Sequence, residues 1–178
     1  MLVAEKNVEV LQVFEGDLAP LLTDEIEQGL DLINIKKPYP RLKYSNKAVI
    51  RDWASVILPV LTERFKDLIL SINHGGIQSF PIIAEREDGK ESCTLHVVNF
   101  LQRLDAIDLS ESMIMGNEGE IGYSIWTPSI IESRTNNLDI FRLNGTSWSI
   151  YITEKLAKLI RKNKITGVQL LQVKTSSK

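Results

Sequence analysis

Cys93 and His96 are the only pair in the chain with metal-ligand spacing. A Cys-x-x-His pair supplies two donors, and a structural zinc site needs four, yet the only other histidine is His74. The surrounding run CTLHVVNF is rich in strand formers, and in a strand positions 93 and 96 point to opposite faces. The pair therefore reads as a packed thiol and an ordinary histidine, and a Cys–His nucleophile would require His74 to approach Cys93 in space. Asp105, Asp108 and Glu111 are the second chemical group. Their spacing of three would cluster the carboxylates on a helix, where they could hold Mg²⁺ or act as acid and base. No clamp, base or glycine-rich phosphate loop accompanies them, so they read as a solvated acidic turn. Gly75-Gly76 follows a helix instead of opening one, unlike a phosphate-cradling loop. No G-x-S-x-G, H-E-x-x-H or Walker pattern occurs. The residues predict no catalytic group, no cofactor and no metal.

Binding chemistry is better represented. Trp53, Trp126 and Trp148 are potential anchors, because tryptophan is enriched among the residues that dominate protein interfaces. Trp126 is the strongest, since it follows a turn carrying Glu118 and Glu120. Carboxylates beside a large apolar side chain suit docking on a basic partner. The candidate partner-binding set is Glu118, Glu120, Trp126, Asp105, Asp108 and Glu111.

The elements that must position these groups show an internal recurrence. Residues 62–82 (TERFKDLILSINHGGIQSFPI) and 153–173 (TEKLAKLIRKNKITGVQLLQV) match at Thr, Glu, Leu-Ile, Gly and Gln with a constant offset of 91. Leu61, Phe65, Leu68, Ile69 and Ile72 form one helical stripe, and Ile152, Leu156, Leu159 and Ile160 form the other. Thr62 and Thr153 are expected N-caps. Gly76 and Gly167 are expected where the chain turns out of the helix with positive φ. A strand should follow each glycine, giving two similar helix–strand units at about 61–83 and 152–174, read as packing units and not as ligand sites.

Elsewhere, Asp88-Gly89 between Phe80–Glu87 and Ser92–Phe100 predicts a hairpin. A strand is expected within Asn7–Glu15, a short helix over Thr23–Ile33, and an extended surface segment over Lys36–Lys47 around Pro38 and Pro40. Pro59 should lie near the start of the first repeat helix. A strand over Ile121–Trp126 should stop at Pro128, and Ile140–Leu143 should return through Asn144-Gly145 to Trp148–Ile152. The expected fold class is α+β, a mixed or antiparallel sheet with packed helices in a single domain over 1–178.

At 178 residues the chain can bury a core without staples. Its net charge of −2 gives no basic footprint for nucleic acid. One cysteine fits a reducing compartment, the N-terminus lacks a leader pattern, and apolar runs are too short to span a bilayer. These features predict a cytoplasmic protein with no membrane or nucleic-acid partner, and they leave a homodimer open.

Three motifs carry a family resemblance. Phe80-Pro81-Ile82, a hairpin, and Val98-Asn99-Phe100 lead to Asp105-Ala106-Ile107-Asp108 and Ser110-Glu111-Ser112. Ile140-Phe141-Arg142-Leu143 forms the second motif, and Thr153-Glu154-Lys155-Leu156 through Thr166-Gly167-Val168 the third. In order and spacing the chain resembles a family of bacterial immunity proteins of polymorphic toxin systems, first catalogued as a myxobacterial domain of unknown function. The resemblance covers about 57–173, leaving a variable part at about 1–56. Thr153 departs from an expected serine, though either residue caps a helix. The resemblance implies neutralisation of a cognate toxin by non-covalent binding in the cytosol and carries over no catalytic residues. It leaves Phe141 and Arg142 as fold residues on opposite strand faces. An effector adaptor or chaperone, or a metal-dependent enzyme using the acidic trio, are the alternatives.

Overall fold

A five-stranded mixed sheet organises one half of the molecule. In the computed structural model the described residues are 2–4, 12–15, 41–54, 59–116, 124–146 and 149–177. The sheet uses β2 (Gln12–Glu15), β3 (Arg41–Tyr44), β4 (Val60–Thr62), β5 (Ile77–Arg86) and β6 (Ser92–Phe100), in the order β2-β3-β5-β6-β4. The expected hairpin is present: β5 and β6 pair antiparallel with Ile82 opposite Leu95, and Gly89 supplies the φ of +69° that its turn requires. β3 lies parallel to β5 inside the sheet. That corrects the surface reading of Lys36–Lys47, because Leu42 and Tyr44 are buried against Ile82, Ala84 and Leu95. The helix predicted over 23–33 and the residues 5–11 lie outside the described residues.

Among the described residues one three-stranded sheet and three two-stranded pairs complete the fold. β11 (Ile140–Leu143) pairs antiparallel with β12 (Tyr151–Ile152) and parallel with β7 (Arg103–Leu104). β8 (Met113–Met115) and β9 (Ser124–Thr127) form a two-stranded ribbon, and β10 (Ser129–Ile131) runs parallel to β14 (Lys174–Ser176). β1 (Leu2–Ala4) pairs with β13 (Val168–Leu170). With helices α1 (Glu63–Leu70) and α2 (Glu154–Lys162), the architecture is α+β with mixed sheets. Among the described residues no helix is long and apolar enough to cross a membrane.

Both helices are shorter than the roughly 12–15 residues that an isolated helix needs, so packing must hold them. Phe65 and Ile69 of α1 and Leu156 and Ile160 of α2 enter one cluster with Trp53, Val98, Phe100 and Ile140. Each such fully buried side chain contributes about 1.5–3 kcal/mol. Leu61 is buried in the same cluster but lies in β4, not on the helix. Pro59 correspondingly precedes β4 and stands away from the start of α1, because the chain extends against β6 before it coils.

The two helix entries carry matched bonds. Thr62 N–H donates to Asp52 O at 3.0 Å, and Thr153 N–H donates to Asp139 O at 3.0 Å. Thr62 Oγ1 donates to Asp52 Oδ1 at 2.8 Å, and Thr153 Oγ1 donates to Asp139 Oδ1 at 2.8 Å. Two residues beyond each threonine a cation pairs with the same carboxylate: Arg64 with Asp52, and Lys155 with Asp139. Each aspartate also grips the loop that follows the other helix. Asp52 accepts from Thr166 N–H at 2.8 Å, and Asp139 accepts from Asn73 N–H at 3.3 Å. The pair of carboxylates thus ties α1 to the exit of α2, and α2 to the exit of α1.

The threonines differ in one respect. Thr153 Oγ1 also accepts from Leu156 N–H, as an N-cap does, whereas Thr62 makes no cap bond. The expected cap at Thr62 is corrected: its hydroxyl donates to Asp52 as that of Thr153 does to Asp139, but it accepts no amide of the first turn of α1. Thr153→Ala should cost about 1–2 kcal/mol, combining the cap and the Asp139 bond. Thr153→Ser should recover most of that loss in urea unfolding.

Candidate protein-docking surface

The β8–β9 ribbon presents a large exposed apolar face. Ile114 sits opposite Ile125, and both are half-buried. Ile125 packs over the β11–β12 connection, where a methyl on Gly145 would come 3.4 Å from Ile125 Cδ1. Alternation along the strands sends the flanking residues outward. Met113 is 58% exposed, Met115 49% and Trp126 70%, with Leu109 49% exposed nearby in sequence. The register shifts between Met113 and Ile114, a bulge that leaves Trp126 between the paired Ile125 and Thr127. Bulges re-aim side chains, and here the bulged residue is the most exposed of the four.

The predicted binding residues fall out unevenly around this face. Asp105 is exposed and its carboxylate accepts from Asn144 Nδ2 at 2.6 Å. Glu111 is exposed and paired with Lys174. Asp108 is corrected as a contact residue, because it is only 4% exposed. Its Oδ1 accepts from Ser110 Oγ at 2.6 Å and Ser110 N–H at 3.2 Å, so it shapes the turn leading into β8. The trio does not lie on a helix, and its three carboxylates are directed to three different partners. Among the described residues no three His, Cys, Asp or Glu side chains assemble as a metal site would require. Glu118, Glu120 and Trp148 lie outside the described residues. Trp53 is core, tilted against Phe65 with ring centroids 6.3 Å apart.

Cys93 and His96 part to opposite faces of β6. The Cys93 thiol packs beside the Leu42–Leu95 cluster, where burial pushes its pKa up and away from the reactive thiolate. His96 belongs to a group that sequence inspection missed: Ser79 Oγ lies 3.1 Å from His96 Nδ1, and Glu63 Oε2 bonds His96 Nε2. The order Ser–His–carboxylate matches a nucleophilic triad. Here, however, the imidazole is reversed, with Nδ1 towards the serine and Nε2 towards the carboxylate, His96 is buried, and Glu63 also pairs with Lys66. The arrangement pins the first turn of α1 to the β5–β6 hairpin. Phe141 and Arg142 are both buried in β11, Phe141 stacking on Tyr151 at 6.1 Å.

The most prominent exposed feature among the described residues is thus the apolar face of the β8–β9 ribbon. No curated protein matches the chain. A family model does match, described as "Immunity protein family (Imm11)", over residues 33–175, a span that also takes in the segment before Ile57. That span is well over half of the 178 residues, carries the ribbon, both helices and the hairpin, and shows that the chain belongs to the Imm11 immunity protein family.

Proposed function

We propose that this protein neutralises a cognate bacterial toxin in the cytosol by binding it, without chemistry of its own, and that the β8–β9 ribbon is the contact. Family membership supports the immunity role, and one observation carries the location: Met113, Met115 and the bulged Trp126 stand out on a two-stranded ribbon. Tryptophan and methionine are enriched at interface cores, and exposed apolar patches mark interaction sites. Asp105 and Glu111, with Glu118 and Glu120 in the segment joining β8 to β9, favour a toxin surface that is basic at its rim. The domain is read as one unit over 1–178, with 61–83 and 152–174 as two copies of a packing unit; the matched Asp52 and Asp139 bonds support that reading.

Co-expression with the toxin encoded beside it tests the role. Growth rescue and a complex on gel filtration are expected. Trp126→Ala should weaken the complex about 30-fold, the effect of losing a hot spot worth about 2 kcal/mol. Its melting temperature should remain near that of the parent, since the side chain is already in water. Binding without rescue would favour an adaptor role, and full affinity in the variant would move the contact elsewhere.

A further inference from the structure

Three methionines and one cysteine make up the sulfur chemistry of the chain, and two of the four sulfurs stand on the ribbon. Met1 lies outside the described residues. Cys93 is half-buried, and burial pushes its thiol pKa up, so little of it is the thiolate that oxidants attack. Met113 and Met115 are the reverse case, because both are exposed. They stand two residues apart in β8, on either side of the half-buried Ile114 that faces Ile125. The extra residue of the bulge is Trp126 in β9, so β8 keeps its regular alternation and both thioethers share the outward face. A thioether reacts without losing a proton first, so access to solvent governs how readily it is oxidised.

We propose that Met113 and Met115 are an oxidation site that switches the ribbon off: a hydroperoxide converts them to sulfoxides, and the oxidised face no longer docks the toxin. The switch rests on the ribbon being the toxin contact, as proposed above. In the step, a thioether sulfur gives a lone pair to one peroxide oxygen and the O–O bond breaks. The transferred oxygen stays on sulfur, its proton passes to the departing oxygen, and water or an alcohol leaves. Sulfur is oxidised by two electrons and the peroxide is reduced by two. Methionine sulfoxide reductases, drawing on a dithiol, return the thioether. The free protein tolerates the change, because water solvates a sulfoxide oxygen on an exposed face. A docked face has to bury that oxygen where a thioether fitted, and a buried acceptor without a donor weakens binding by roughly 5-fold to 150-fold.

The full chain would be treated with hydrogen peroxide and the sites of oxygen addition read by fragment mass spectrometry. Binding to the separately purified toxin encoded beside it would be measured by calorimetry before and after. Met113 and Met115 should each gain one oxygen before Cys93 is modified, and the dissociation constant should rise at least about tenfold. The two sulfoxide reductases with dithiothreitol should restore it, while the melting temperature stays near that of the untreated protein throughout. The Met113→Leu, Met115→Leu double variant, whatever its untreated affinity, should not respond to peroxide. Modification of Cys93 ahead of both methionines overturns the proposal, as does complete sulfoxide formation that leaves the affinity unchanged. An equal loss in the double variant overturns it too, and so does a fall in melting temperature that tracks the loss, because unfolding is then the cause. Failure of the untreated protein to form a complex defeats the toxin-docking reading itself and takes the switch with it, an outcome told apart from the others because it precedes the oxidant.

Discussion

Asp52→Ala should lower stability by about 3 kcal/mol at neutral pH, and Asp139→Ala by a comparable amount. Each carboxylate is about 5% exposed and organises donors from both helices. Removing Asp52 strands the Thr166 amide and the Thr62 and Thr166 hydroxyls, each costing about 1 kcal/mol or more when left without an acceptor. Arg64 adds little, because its side chain is 56% exposed and water can take over its charge. Equilibrium urea unfolding measures the loss, and a change under 1 kcal/mol would show that the carboxylates are not needed to join the helices.

The same groups dictate the acid limb of the stability curve. Burial raises the Asp52 pKa, but the Arg64 guanidinium, the Thr166 amide and the two threonine hydroxyls outweigh it and hold the carboxyl below its ordinary value. At Asp139 burial is likewise outweighed, by Lys155, Thr153 and the Asn73 amide. A carboxylate depressed in the folded state stabilises the protein above the unfolded value of about 3.9. That contribution disappears as pH falls from there through the lower folded value. The urea midpoint of the parent should therefore drop steeply below about pH 4. An Asp52→Asn, Asp139→Asn double variant should start less stable and lose less on acidification, keeping only the slope from exposed carboxylates such as Asp88. Parallel pH profiles for the two proteins would contradict this account.

Gly167→Ala should be the most disruptive single-methyl change described here, at about 3 kcal/mol or more. Gly167 has φ +81°, a region that costs a residue with a Cβ about 1–2 kcal/mol. A Cβ there would also lie 2.3 Å from Trp53 O and 2.9 Å from Arg51 Cβ. Trp53 O is backbone, next to the amide that donates to Thr166 O at 3.1 Å, so relief would pull apart the Asp52 junction. At roughly 2–4 °C per kcal/mol for a chain of this size, the melting temperature should fall by about 6–12 °C. Gly89→Ala is the control. It has φ +69°, but its Cβ would meet only Glu85 Oε1 at 3.7 Å, so only the backbone term of about 1–2 kcal/mol applies. Equal losses at the two positions would mean that Gly167 is needed for its φ alone.

Much of the local structure was legible from residue order. Asp88-Gly89 marks the centre of the β5–β6 hairpin, and the alternation on either side implies which residues share a face. The helical stripes place Phe65, Ile69, Leu156 and Ile160 inside, where they are found. Asn144-Gly145 marks the return from β11 towards β12, with Gly145 at φ +79°. These features depend on contacts between near neighbours. Arg41–Tyr44 was missed because four residues after two prolines offer too short an alternation to separate a buried strand from a surface one. The Ser79–His96–Glu63 group was missed because its helix and strand members lie 33 residues apart. Trp126, Met113 and Met115 are all exposed on the ribbon, a placement that the residue types alone do not fix, since each is as common in a core.

By itself, then, the sequence determined the β5–β6 hairpin and the apolar stripes of the two helices, because φ/ψ preference and hydrophobic period act over a few residues. The tertiary structure alone decided the fate of the polar residues. Asp52 and Asp139, unremarked in the chain, became the buried joints between α1 and α2; Asp108 turned inward, while Asp105 and Glu111 stayed at the surface. The energy of a carboxylate is set by which donors surround it and how much water remains, and that environment exists only once distant segments have met.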